Sequence, residues 1–297
     1  MDMFRNDVRV LDGVEIAYSI GGSGPPVLLL HGFPQTREMW RPIAAELAAQ
    51  FTVVMADLRG YGASAVAGQE GPEDCAPYSF RAMGGDQLAL MRSLGFERFH
   101  LVGHDRGARV AHRMALDAPD RVASLTLMDI VPTHLLLSEL RYPVAKSYYH
   151  WFFLAQPHPF PERLIAADPD YFFESCLLGW GGAQLSDFAT EAIAAYRAAW
   201  RRPEVIFGMC QDYRAAIAHD LALDEADLGR KLHCPALVLF GADGVMAREY
   251  DVGASWAPWL ADMRVQAVPG GHFFPDTAPQ VTTRAVMAFL GSLDVAR

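Results

Sequence analysis

Gly103-His104-Asp105-Arg106-Gly107 joins a short apolar run, Phe99-His100-Leu101-Val102, to a stretch with apolar residues at helical spacing, Ala108, Ala111, Met114 and Ala115. A turn that passes from strand to helix within so few residues tolerates only small neighbours. It drives its central side chain out over the edge of a sheet. It also requires an architecture in which strands are followed by helices. The side chain exposed by such a turn is here Asp105. The attacking atom is then a carboxylate oxygen, and the covalent intermediate is an alkyl ester on the enzyme. Taken alone, the pentapeptide also fits a Gly-rich turn carrying a solvated aspartate, so the rest of the chain has to decide.

The flanking pattern supplies that architecture. Residues 8–11 and 14–18 alternate around Asp12-Gly13, a two-residue hairpin signal. A Gly- and Pro-rich turn over 21–26 leads into a buried-type strand at 27–30, a helical pattern over 36–49 and a strand at 51–56. A helix over 79–94, the elbow strand and helix, and a strand at 124–128 follow. Alternation of this kind predicts an α/β fold, a mostly parallel sheet with helices on both faces. It stops at Pro132. From there to about residue 224 the chain is aromatic, Pro-punctuated and helical, and strands resume at 236–240 and 264–268. The expected organisation is a core of residues 1–131 and 225–297 with an inserted helical cap, 132–224. An insertion at the carboxyl edge of such a sheet lies over the ligand crevice, where it excludes water.

With 297 residues and 52% hydrophobic content, the chain can bury a large core. Its net charge of −10 argues against nucleic acid and anionic membranes as partners. Any site for an anionic substrate must then be made locally, by arginines. The first residues carry charges and no apolar stretch of the secretory kind, and no run approaches the length of a membrane span. Cys75, Cys176, Cys210 and Cys234 are widely spaced, which suits free thiols and a cytoplasmic location better than a disulfide framework. His100 and His104 lie at a strand end and form no metal pattern, and Gly21 to Gly24 lacks the ending of a phosphate loop. No metal and no cofactor is expected.

Further features must coincide for the elbow to be real, and they do. His31-Gly32-Phe33-Pro34 follows the strand at 27–30, where the loop's backbone N–H at Phe33 joins that of Arg106 as an oxyanion pair. Gly270-Gly271-His272-Phe273 follows the last strand, where a base histidine belongs, and Asp129 and Asp243 each follow a strand end from which an acid could orient it. Chain order nucleophile, acid, base is that of the α/β-hydrolase fold, with its mostly parallel eight-stranded sheet.

The chain resembles the fluoroacetate (haloacetate) dehalogenases of that superfamily. The likeness rests on Gly103-His104-Asp105-Arg106-Gly107-Ala108-Arg109, on Met128-Asp129-Ile130-Val131-Pro132-Thr133, on His150-Trp151-Phe152-Phe153-Leu154 and on Gly271-His272-Phe273, and it covers nearly the whole chain. It implies a haloacid substrate, a homodimer, and Asp129 as the triad acid; the general superfamily pattern favours Asp243 instead. Ala108 stands where the family has glycine. Arg106 and Arg109 can share one helix face as a fork for a carboxylate. The resemblance assigns His150, Trp151 and Tyr213 to the halide, and three neutral donors suit the charge that develops there. Trp180 either lines the pocket or packs the cap.

The expected reaction is displacement of halide by Asp105, followed by hydrolysis of the ester by water that His272 activates. The nearest rival is an epoxide hydrolase using the same triad, with Tyr213 and either Tyr148 or Tyr149 as proton donors; it would not need the two arginines. A haloalkane dehalogenase would place tryptophan, not arginine, after the nucleophile. A hydrolase-fold ligand receptor would usually carry serine.

Overall fold

The computed structural model describes residues 3–64, 73–180 and 182–294. Strands β1 (Arg5–Leu11) and β2 (Val14–Gly22) form an antiparallel hairpin. Asp12 and Gly13 turn it with φ of 49° and 86°, both on the positive side as a primed turn requires. Then come β3 (Pro26–Leu30), a single 3₁₀ turn at Arg37–Trp40, α1 (Arg41–Leu47) and β4 (Thr52–Ala56). The continuous helix expected over 36–49 is thus split. Pro42 sits at the start of α1, where its fixed φ and missing N–H suit a first turn and not an interior. Next are α2 (Phe80–Ser93), β5 (Phe99–His104), α3 (Arg106–Asp117) and β6 (Val122–Met128).

Between β6 and the next strand the described chain is helical throughout. It comprises α4 (Thr133–Ser138), α5 (Tyr142–Ser147), α6 (His150–Leu154), α7 (Phe160–Ala167), α8 (Pro169–Gly179), α9 (Thr190–Trp200), α10 (Pro203–Ala215) and α11 (Leu221–Ala226). A π turn, Ala216–Asp220, separates the last two. The sheet then resumes with β7 (Ala236–Gly241), followed by α12 (Val245–Glu249), α13 (Val252–Trp256), β8 (Met263–Val268), α14 (Phe274–Thr277) and α15 (Pro279–Asp294).

The eight strands lie in the order β1-β2-β4-β3-β5-β6-β7-β8, antiparallel only where β2 meets β1 and β4. Strand β3 is central, with β4 on one side and β5 on the other. Right-handed crossovers to opposite sides of a strand place their helices on opposite faces. So α1, between β3 and β4, covers one face and packs with α15, while α2 and α3 pack together on the other. Every residue of β5 is buried, as expected for a strand covered on both faces. The crossover direction reverses between β3 and β5, and ligands in open α/β sheets bind outside the carboxyl ends of strands at such a point. The loops leaving those two ends carry Phe33 and Asp105. Among the described residues no helix is long and apolar enough to cross a membrane.

Candidate active site

Asp105 lies between β5 and α3 with φ 47° and ψ −114°, a conformation that L residues seldom adopt outside strained turns. The strain holds because its neighbours are glycines. A Cβ on Gly103 would run into Gly107 and Ala108, and one on Gly107 into the Leu30 and His31 carbonyls. The carboxylate is buried, and its Oδ2 accepts a hydrogen bond from the Phe33 N–H at 3.0 Å. The Arg106 N–H, in the first turn of α3, has no partner within the helix.

His272 Nε2 is 4.0 Å from Asp105 Oδ1, while Nδ1 is 2.7 Å from Asp129 Oδ2. Asp129, itself at φ 53°, accepts the Gly241 N–H on its other oxygen at 2.8 Å. Of the two candidate acids it is Asp129 that touches the histidine. Asp243 is exposed and its carboxylate accepts the Gly270 N–H at 3.3 Å, bracing the turn before His272. The Trp180 carbonyl accepts the His272 N–H at 2.9 Å, tying the helical segment to the loop that carries His272.

Arg106 and Arg109 are both buried, and the charges of both act on Asp105. Arg106 is not the free fork expected. Its Nε donates to Asp212 Oδ2 at 2.8 Å, and its Nη2 donates to Asp212 Oδ1 and to the Asp212 carbonyl, leaving the hydrogens of Nη1 without a partner. The Tyr61 hydroxyl donates to Asp212 Oδ2 at 2.6 Å from the other side. Arg109 spends Nη1 on the Val131 carbonyl (3.1 Å) and Thr133 Oγ1 (3.0 Å), with Nε unpartnered. The Trp151 ring lies 4.7 Å from the Arg106 guanidinium carbon and 4.9 Å from that of Arg109, a shared cation–π floor. Tyr213 contacts Arg106 at 4.1 Å.

Above Asp105, the His150 ring stacks on Phe33 with centroids 5.3 Å apart and meets Tyr213 edge-on at 5.4 Å. Trp180 is 4.2 Å from His150 and 5.5 Å from His272, so it lines the site, and it also stacks on Phe273. Buried side-chain polar atoms normally have partners. Here Arg106 Nη1, Arg109 Nε, His150 Nδ1, and the Tyr213 and Tyr148 hydroxyls are all buried without one, and so is His272 Nε2. Such a cluster marks where a ligand's own polar atoms would sit. Tyr149, by contrast, is 47% exposed. Among the described residues no group of His, Cys, Asp or Glu is placed to hold a metal ion.

The α/β hydrolase fold family matches residues 25–279 of this chain. A fluoroacetate dehalogenase from Burkholderia sp is 53% identical over 277 residues, covering 93% of this chain and 90% of that one. The chain belongs to the haloacetate dehalogenases. Hydrolases of this family act on carbon–halide bonds. A soluble epoxide hydrolase from Corynebacterium sp. (strain C12) is 30% identical, with 96% of each chain covered. Among solved structures, an α/β hydrolase from Nostoc sp PCC 7120 superposes with a TM-score of 0.93 at 46% identity, covering 97% of this chain and 98% of that one.

The electrostatics of this dehalogenase site follow from burial opposed by pairing. Burial alone would raise the Asp105 carboxyl. His272, His104, Arg106 and Arg109 outweigh it and hold the group below the usual carboxylate range. Burial alone would lower His272, but its bond to Asp129 and the charges of Asp129 and Asp105 raise it above 6.5. Burial pushes His150 well below 6.5 and His104 down to about 4, so both are neutral donors or acceptors at pH 7. Burial lowers Arg109 to about 10, against the pull of Asp105. Tyr213 and Tyr148 are pushed well above 10, chiefly by burial, and stay protonated.

Sequence reasoning did not find Asp212 or Tyr61 as parts of the site. Asp212 carries one available signal, a carboxylate within the otherwise apolar face of α10 next to Tyr213. Tyr61, in the loop after β4, carries none.

Proposed function

We infer that this protein hydrolyses haloacetates, such as fluoroacetate or chloroacetate, to glycolate and halide. One observation carries the reading: the unpartnered buried donors beside Asp105 fall into two sets of different charge. Arg106 Nη1 and Arg109 Nε are cationic, while His150 Nδ1 and the Tyr213 hydroxyl are neutral. A haloacetate has that division, a carboxylate at one end and a weakly accepting halogen at the other. The similarity to a fluoroacetate dehalogenase supports the same substrate class.

In the first step the Phe33 N–H holds Asp105 Oδ2 as the future ester carbonyl oxygen, leaving Oδ1 to attack the α-carbon in line. The carbon–halogen bond breaks, and the His150 and Tyr213 donors, with the Trp151 indole N–H beside them, receive the halide. His272 then takes a proton from water, and the hydroxide adds to the ester carbonyl. The negative oxygen that forms is met by the Phe33 and Arg106 N–H groups. Collapse releases glycolate carrying an Asp105 oxygen, and water's oxygen stays on the regenerated carboxylate. The helical segment 132–224 acts as the cap that keeps bulk water from the ester. His150, Trp151, Trp180 and Tyr213 all come from it, which supports that role.

The reading is tested by fluoride and chloride release from fluoroacetate and chloroacetate by purified protein, beside Asp105→Asn. Halide release that is lost in the variant is expected; no release from either acid overturns it. A neutral-epoxide hydrolase remains the second reading, because Tyr148 and Tyr213 both keep a buried, unpartnered hydroxyl. Two buried arginines facing an uncharged substrate weigh against it.

Its four cysteines are free thiols, which fits a cytoplasmic enzyme. Exposed Tyr142, Phe160, Leu164 and Tyr171 on the helical segment offer apolar surface for a homodimer, to be read by analytical ultracentrifugation.

A further inference from the structure

We propose that the same site hydrolyses oxirane-2-carboxylates, three-membered cyclic ethers with the carboxylate on a ring carbon, to 2,3-dihydroxy acids. The proposal rests on the haloacid reading of the site and extends it to a second leaving atom.

His150 Nδ1 and the Tyr213 hydroxyl are buried polar atoms without partners, set in aromatic walls made by Phe33, Trp151 and Trp180, and in the tautomer with the proton on Nδ1 both donate into the site. A pair of neutral N–H and O–H donors selects a small, hard acceptor. Fluoride fits that description, and so does an alkoxide oxygen, which is also a first-row anion. A ring oxygen on the α-carbon of a clamped carboxylate occupies the position of the halogen in a haloacetate. It lies opposite the direction from which Asp105 Oδ1 approaches.

The two leaving atoms differ in one demand. A halide can depart as the anion, whereas an alkoxide needs a proton. Tyr213 has one to give: its hydroxyl is protonated, has no acceptor in the free protein, and is held by edge contacts to Phe33, His150 and Trp151. The Arg106 guanidinium 4.1 Å away favours the transient tyrosinate.

The step balances without a co-reactant. Asp105 Oδ1 forms a bond to C2 of the oxirane as the C2–O bond breaks, and the freed oxygen, still on C3, takes the Tyr213 proton. His272 then activates water, which adds to the ester carbonyl, and the product leaves with an Asp105 oxygen on C2. The proton lost when Asp105 re-ionises restores Tyr213. The sum is oxirane-2-carboxylate plus water giving 2,3-dihydroxypropanoate. Attack at C2 inverts that carbon, while attack at C3 would retain it.

The experiment uses the full-length protein with the separate enantiomers of glycidate (oxirane-2-carboxylate), chiral analysis of the glycerate formed, and chloroacetate and fluoroacetate as parallel substrates. Glycerate inverted at C2 is expected from at least one enantiomer. Tyr213→Phe should lower turnover of glycidate at least about tenfold more than that of chloroacetate, because only the alkoxide needs a proton. Three results would overturn the proposal: halide release with no glycerate, glycerate with C2 retained, or equal loss on both substrates in Tyr213→Phe. Each leaves the haloacetate reading standing. Failure of fluoroacetate and chloroacetate would instead remove that reading, and a protein that opened glycidate alone would be an epoxy-acid hydrolase.

Discussion

The Arg106 guanidinium and the Asp212 carboxylate form a fully buried, two-pronged ion pair that joins the start of α3 to the C-terminal part of α10. The pair fixes which hydrogens Arg106 can offer. Nε and Nη2 are consumed, so Nη1 alone faces the site, and the packing of Phe80, Trp151 and Tyr213 around the guanidinium keeps it from turning. On the proposed haloacetate reading, Asp212 is therefore a positioning residue for the substrate carboxylate.

Asp212→Asn should raise KM for chloroacetate roughly tenfold, about 1.4 kcal/mol, with a smaller fall in kcat. Asp212→Glu should recover part of the loss. Breaking a buried pair also costs about 3–5 kcal/mol of stability, so thermal unfolding is measured alongside the kinetics. Equal falls in kcat and kcat/KM, with KM unchanged, would contradict the positioning role.

The two kinetic constants should respond differently to pH. In the proposed mechanism halide displacement is the first irreversible step, so kcat/KM reports the free enzyme up to that point. Asp105 is ionised from below the usual carboxylate range upward, so kcat/KM should be flat through neutrality. It should fall as Arg109 loses its proton near pH 10. Where ester hydrolysis limits, kcat needs neutral His272 and should rise through a value above 6.5, because Asp129 and Asp105 raise that group. A pH–rate profile for chloroacetate from pH 5 to 11 checks both limbs.

Asp276 is wholly buried and bonded to Gln35 and Tyr196, and burial raises its carboxyl to about 7. A raised acid is protonated in the folded state and ionised in the unfolded state between those two values. Its contribution is complete below the ordinary 3.8 and is lost as pH rises through about 7. Asp276→Asn keeps the neutral form at every pH. Its Tm, measured by calorimetry, should match the parent near pH 4 and exceed it at pH 8.

The placement of Asp105, Phe33 and His272 around one point was legible because each depends on local turn chemistry. Glycines mark the tight approaches at 103 and 107, and the strand ends announce positions 33, 129 and 272. The alternation of strands and helices carried the sheet, since the crossover rules leave few topologies once the strands are placed. Two kinds of feature were not legible. The residues by themselves left Asp129 and Asp243 open, and only the resemblance pointed to Asp129; which carboxylate turns inward is set by the backbone, through the positive φ at Asp129. Arg106 reads in the sequence as an open fork, because its partner Asp212 lies more than a hundred residues away with no periodicity joining them. The π turn at Ala216–Asp220, whose Asp220 accepts the Phe80 N–H, likewise reads as ordinary helix.

The proposed hydrolysis at the ester carbonyl has an isotopic consequence. In a single turnover in ¹⁸O-water with excess enzyme, the label should enter the Asp105 carboxylate and the glycolate should be unlabelled. Glycolate labelled in the first turnover would mean that water attacks the substrate carbon directly, with Asp105 as its base.

The most direct test of the account is mass spectrometry of His272→Asn after exposure to fluoroacetate. In the proposed mechanism displacement needs only Asp105, whereas release of the ester needs His272. The account expects one fluoride per active site and a mass gain of about 58 Da, one carboxymethyl group, on the peptide carrying Asp105. Fluoride released over many turnovers with no modified peptide would contradict it.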